Sequence, residues 1–295
     1  MISFNGIKTV LLLSGLASIL MFLGKLVGGY AGLQIALVMA LLMNGIVYFF
    51  SDKIVLAIYK AQPLDKLQYR HIYEMVEGLC TLMHMPIPKL WIIKTPVANA
   101  FATGRSPKNG SIAITTGILD LLTSRELRGV LSHELSHIKN RDILVATIAA
   151  TIATAISYLA QMAQYTAFWG SMGSSKDRRS SSNPILLLLL AIVMPIAATL
   201  MQLAISRSRE YDADETGACS CNDPLALASA LEKLEKNSYD VNLNKNESKY
   251  AATSSLFIVN PLTGRNWVNL FSTHPPLFKR VARLQFLAAK LMHHT

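Results

Sequence analysis

Apolar residues gather into four runs along this chain. TVLLLSGLASILMFLG covers residues 9–24 and stops at Lys25, and LQIALVMALLMNGIVYFF covers 33–50. Each approaches the ~20 residues a helix needs to cross the hydrocarbon of a bilayer. The short, glycine-rich LVGGYAG between them predicts a tight transmembrane hairpin over 1–50. The third run starts at Ile143 and carries no charge until Lys176; its Ala and Thr suit close packing of helices in a membrane. The fourth, residues 184–206, has Pro195 in its middle, where a kink is expected. Residues 143–206 therefore read as a second pair of transmembrane helices. A cleaved signal peptide would also place an apolar stretch after Lys8, but no small-x-small cleavage site precedes the second run.

The two remaining blocks, 51–142 and 207–295, have the texture of folded, water-facing structure. Residues 64–84 place apolar side chains at three- and four-residue spacing, which predicts a helix. MPIPKLWIIKT turns through two prolines into a β-branched strand, NAFATGR reads as a loop, and a second strand is expected near 111–116. Ser124 is expected to cap the helix that follows, with an acidic first turn. Residues 237–255, rich in Asn and Ser, read as a loop, and 276–292 as an amphipathic C-terminal helix. No internal repeat is evident.

Composition and charge sharpen this picture. Charged residues make up 16% of the chain and mean hydropathy is +0.35, against roughly 25% charged in ordinary soluble domains. The net charge of +10 lies beside apolar segments, so it reads as a topology signal and not as a nucleic-acid footprint. Twelve Lys and Arg fall in 51–142, eleven in 207–295, and three in the loop SSKDRRSSSN. Four spans put both large blocks on one side, and their basic bias makes that side cytoplasmic. Three cysteines, Cys80, Cys219 and Cys221, give no disulfide framework.

The chemistry concentrates in LRGVLSHELSHIKNRD, residues 127–142, which contains H-E-x-x-H at 133–137. On a helix, residues i and i+4 share a face, so His133 and His137 can bind one ion together. Glu134 stands beside that face, where it can accept a proton from the attacking water. Zinc in an open site takes three protein ligands, and a two-histidine site usually adds a carboxylate. The fourth apolar run leads into SRSREYDADETGA, where Glu210 and Asp214 are themselves i and i+4. One of them would bind the metal while the other orients a ligating histidine; spacing alone does not choose between them.

These motifs, together with NAFATG at 99–104, SRSREYDAD at 206–214 and THPP at 273–276, make the chain resemble the HtpX-type membrane-bound zinc endopeptidases, relatives of the CAAX prenyl proteases. The resemblance implies an α+β, mainly α fold: four transmembrane helices and a cytoplasmic, zincin-like metalloprotease domain with a small β-sheet. It implies one Zn2+ per chain held by His133, His137 and Glu210, with Asp214 supporting a ligand histidine. It gives Glu134 the role of general base, and it sets His274 near the active site to stabilise the reacting carbonyl. It implies cleavage of misfolded or damaged membrane proteins on the cytoplasmic side of the inner (plasma) membrane, with the lipid bilayer as partner and no nucleic acid.

Asn99 and Ala100 are expected to line the cleft, because an extended substrate can add itself to a strand edge by main-chain hydrogen bonds. A catalytically idle zinc scaffold is the alternative, but a closed structural site has no use for Glu134. A transporter is disfavoured, since the spans hold almost no ionisable residues.

Overall fold

The computed structural model describes residues 4–142, 144, 145, 148, 207–240, 258 and 275–292. Nearly all of the third and fourth apolar runs, and most of the 237–255 segment, lie outside the described residues. The elements in chain order are helix α1 (Phe4–Ile58), strand β1 (Gln62–Pro63), helix α2 (Arg70–Met83) and strands β2 (Lys89–Ile93), β3 (Ala100–Gly104) and β4 (Gly110–Thr115). Helices α3 (Thr116–Leu121), α4 (Ser124–Lys139), α5 (Arg207–Cys221), α6 (Pro224–Asp240) and α7 (Leu277–Met292) follow.

The helical segment α1 doubles back on itself. Asn44 Nδ2 donates to the Leu13 carbonyl at 3.1 Å, although the two residues are 31 apart in sequence. In a straight helix they would be separated by about 46 Å. The midpoint falls at Gly29, whose φ of +58° is open to a residue with no Cβ. The second arm continues to Ile58, eight residues beyond the boundary expected at residue 50. Of four expected spans, one window among the described residues, Gly29–Ile46, is long and apolar enough to cross a membrane.

Four strands form a mixed sheet in the order β1-β2-β4-β3, with β2 and β4 parallel and the outer pairs antiparallel. NAFATGR, read as a loop from its Asn and Gly, supplies the edge strand β3. All five residues of that strand are buried, so no polar alternation marked it. Ile112 and Ile114 of β4 join a core with Leu131, Leu135 and Ile138 of α4. Ala113 and Phe101 face the other way, onto Val55 and Leu56 at the end of α1. The sheet thus carries the metal-motif helix on one face and the foot of the apolar hairpin on the other.

Helix α4 begins one residue earlier than expected. Thr123 is the N-cap, its Oγ1 accepting from the Glu126 N–H while the Glu126 carboxylate accepts from the Thr123 N–H. This reciprocal pair satisfies two of the amides that a helix start leaves unpaired. Burial of Glu126 opposes its ionisation, but hydrogen bonds from Lys233, Ser229 and Thr123 outweigh it and hold the carboxyl at about 2. These contacts pin the start of α4 to α6.

Helices α4 and α5 meet backbone to backbone. A Cβ on Gly217 would stand 2.9 Å from the His133 nitrogen and 3.0 Å from its Cα. Ser132 Oγ donates to the Gly217 carbonyl at 2.7 Å, closing the same contact. Gly217→Ala must push the helices apart, at a cost of about 1–3 kcal/mol for overpacking. We expect a lower Tm together with weaker metal binding, read by thermal unfolding and by metal content; a destabilised variant with unchanged metal affinity would detach the two.

Candidate metal centre

The helix α4 presents His133 and His137 one turn apart, and α5 lies across it at the Gly217 contact. That crossing brings Glu210, in the first turn of α5, opposite both rings. The two Nε2 atoms are 3.2 Å apart. Glu210 Oε1 lies 3.6 Å from His137 Nε2, and Oε2 lies 3.8 Å from His133 Nε2. Ligands ~2.0–2.1 Å from one tetrahedral zinc would stand about 3.3 Å apart, so the three donors fit an ion between them. They are the one such His, Cys, Asp or Glu group found among the described residues.

What lies behind the rings fits equally well. His133 Nδ1 is 2.9 Å from Asp214 Oδ1, and His137 Nδ1 is 3.5 Å from Asp142 Oδ2. A carboxylate on each Nδ1 favours the tautomer whose Nε2 lone pair faces the metal. Spacing left the two acids interchangeable; in the fold Glu210 faces the Nε2 atoms and Asp214 stands behind His133. Asp142 was not foreseen. Arg141, at φ +61°, turns the chain back after α4. The Asp142 N–H then bonds the His137 carbonyl at 3.0 Å, which seats the carboxylate beside that ring. Its proximity to the motif, five residues past His137, was the available signal.

Arg280 was also missed. It comes from α7, is 1% exposed, and grips Asp214 with two hydrogen bonds, Nε to Oδ2 at 2.8 Å and Nη2 to Oδ1 at 2.7 Å. Its Nη1 donates to the Ile258 carbonyl at 3.1 Å and lies 3.6 Å from Glu210 Oε2. Arg280 occupies an apolar stripe of α7 with Val281 and Leu284; a lone arginine in such a stripe is the sequence sign of a buried partner. Arg209, the residue before Glu210, is also buried, with Asp142 and Glu210 acting on its charge.

The charges are tuned by these contacts. Burial would protonate Asp214, but Arg280 overrides it and holds the carboxyl at about 2. Burial keeps the His133 imidazole below its ordinary value. His137, the more open ring, would also be lowered by burial, yet Asp142, Glu210 and Glu134 raise it to about 9. Burial pushes the Glu134 carboxyl up to about 7, against the pull of His137 and a hydrogen bond from the Ala102 N–H. That bond places Glu134 at the free edge of β3, since β4 occupies the other edge.

Asn99 and Ala100 sit at the start of that edge strand and are buried. The Asn99 side-chain oxygen accepts from the Ile258 N–H at 3.2 Å. That oxygen ties Asn99 to Ile258, and Ile258 in turn bonds Arg280; the Asn99 N–H and carbonyl both bond Thr115, so its main chain faces β4 and not the free edge expected to meet substrate. His274 lies outside the described residues; Pro275, next in sequence, is buried two residues before α7.

Residues 66–288 match peptidase family M48. The chain is 50% identical over 278 residues to a "Protease HtpX homolog" of Syntrophobacter fumaroxidans, covering 94% of this chain and 98% of that one. It is 45% identical to a protein of the same description from Paraburkholderia phytofirmans, over 97% and 98%. A third such relative, from Aquifex aeolicus, is 48% identical over 92% and 90%. Among solved structures it is similar to S. mikatae Ste24p, with a TM-score of 0.50 and 17% identity. That likeness spans 95% of this chain and 63% of the longer Ste24p chain and speaks to the fold.

The ranking of the acids is testable. Glu210→Ala should lose metal outright, whereas Asp214→Ala and Arg280→Lys should weaken binding about 10–100-fold, the usual worth of a group supporting a ligand. Lysine keeps the charge but not the two-pronged grip. Chelator competition read by metal content decides the order, and Asp214→Ala losing more than Glu210→Ala would reverse the assignment.

Proposed function

The chain belongs to peptidase family M48 and is a metallopeptidase; from that premise we propose an integral-membrane zinc endopeptidase acting at the cytoplasmic face on misfolded or damaged membrane proteins. One observation carries the chemistry. His133, His137 and Glu210 converge within 4.8 Å while Glu134, on the same helix, stays out of the trio and within reach of its charges. A site built only to hold an ion would be closed by a fourth ligand.

The three donors would hold the ion, and zinc when bound supplies Lewis acidity, polarising a peptide carbonyl and making water acidic enough to attack at neutral pH. The chain's own residues do the rest. Glu134 takes the proton of the attacking water and delivers it to the leaving amine. Asp214 and Asp142 keep the two imidazoles in one tautomer. An extended substrate pairs with the free edge of β3, where Ala100 contributes main-chain groups, and the scissile bond is laid beside Glu134; Asn99, whose own N–H and carbonyl bond Thr115, holds the start of that strand in place. Following the resemblance, His274 steadies the developing oxyanion.

The membrane reading rests on the apolar hairpin. Ile35, Leu41, Leu42 and Ile46 are all at least half exposed on α1, a surface that water would not tolerate on a stable monomer. With residues 143–206 as a second pair of spans, the blocks 51–142 and 207–295 lie together on the basic, cytoplasmic side.

Glu134→Gln should abolish cleavage of a membrane substrate while leaving metal content at the wild-type level, because the amide cannot accept the proton and the ligands remain. Turnover close to wild type would refute the general-base role. For topology, a reporter fused after Thr295 should report from the cytoplasm, and a cysteine near Ser174 should be labelled from outside. Failure of that cysteine to label in intact cells would overturn the four-span arrangement.

A further inference from the structure

A cavity of about 540 Å³ opens where the hairpin meets the sheet, and none of its lining residues belongs to the metal centre. Its walls include Phe49, Phe50, Asp52 and Lys53 from the foot of α1, Lys89 at the start of β2 and Arg105 just past the end of β3. The sheet topology explains the meeting. β2 and β4 run parallel with Lys89 opposite Ser111, while β3 runs against β4 and ends beside Gly110. The start of β2 and the exit of β3 therefore share one end of the sheet, and both basic residues stand at that end.

This end lies just past the apolar hairpin. The second apolar run closes at Phe49 and Phe50, and Lys53 follows three residues after Phe50, about 5 Å along a helix. A headgroup layer adds roughly 5–8 Å to each side of the hydrocarbon. Aromatic rings and basic side chains are the residues that settle in that layer. Both cations already rest on ring faces: the Arg105 guanidinium is 5.3 Å from the centroid of Phe49, and Lys53 Nζ is 5.2 Å from that of Phe50. Three cations face one carboxylate, Asp52, so the cavity favours an anion.

On the membrane reading given above, we propose that this cavity binds the phosphate-bearing headgroup of an anionic membrane lipid. The rings decide between a lipid and free phosphate. Phe49 and Phe50 are about half exposed, 54% and 46%, and lie beside the cations. Acyl chains would cover them, whereas a small soluble anion would leave them in water. A bound lipid would bridge the hairpin to the strand ends of the sheet and fix how the catalytic block sits on the bilayer.

The test uses the full chain, purified in detergent, offered equal amounts of phosphatidylglycerol and phosphatidylcholine, with retained lipid read by native mass spectrometry. Wild type should retain phosphatidylglycerol preferentially. Each of Lys53→Gln, Lys89→Gln and Arg105→Gln should weaken that retention ~5-fold, and the triple variant should show no preference. Asp52→Asn should strengthen retention. Lys60→Gln and Lys94→Gln, which lie outside this cavity, should change nothing. Metal content should stay constant throughout, which separates this site from the catalytic one. Wild-type retention by the triple variant would overturn the proposal, as would full displacement of the lipid by millimolar inorganic phosphate. Flotation with phosphatidylcholine vesicles separates the two readings. A chain that floats but shows no lipid preference overturns the site alone, and one that fails to float overturns the membrane reading and the site with it.

Discussion

Everything at the metal centre depends on how closely α5 approaches α4. The helices touch through backbone at Gly217 and His133, with Ser132 hydrogen-bonded across the contact. Any side chain larger than hydrogen at residue 217 would hold the helices apart. The distances between Glu210 and the imidazoles, 3.6 and 3.8 Å, exist because this separation is small. The candidate ligand set, drawn from two helices far apart in sequence, is thus positioned by one steric constraint. The capping box at Thr123 and the Lys233 bond to Glu126 fix the same helix at its other end.

Around the ligands the charges are arranged in layers. Glu210 faces the rings, Asp214 and Asp142 stand behind them, and Arg280 lies behind Asp214 with Glu210 also in range. Arg280 is fully buried, and a lone buried cation would be severely destabilising. Two carboxylates and the Ile258 carbonyl meet it, so its charge is compensated inside the fold. The chain from Asn99 through Ile258 and Arg280 to Asp214 also ties the edge strand to a ligand histidine. The posture of β3 and that of His133 are therefore mechanically connected.

The sequence was most legible where the signal is local. H-E-x-x-H lies within one helix, Glu210 and Asp214 are one turn apart, and β2 and β4 are β-branched runs; each was read from neighbours alone. It was least legible where partners are distant. Asp214 and Arg280 are separated by 66 residues, and nothing in spacing pairs them. The strand β3 was hidden for another reason: it is buried throughout and short, so it lacks the alternation that marks a half-exposed strand. The hairpin turn was visible in its glycines, whereas the length of the second arm was not, because apolar character fades at Ser51 although the helix continues to Ile58.

The central claim is that two imidazoles and the Glu210 carboxylate hold the ion. X-ray absorption at the zinc edge of the purified, metal-loaded chain reads those ligands directly. The account predicts nitrogen and oxygen neighbours alone, at ~2.0–2.2 Å, with two imidazole signatures. A sulfur neighbour at ~2.3 Å, from Cys80, Cys219 or Cys221, would contradict it.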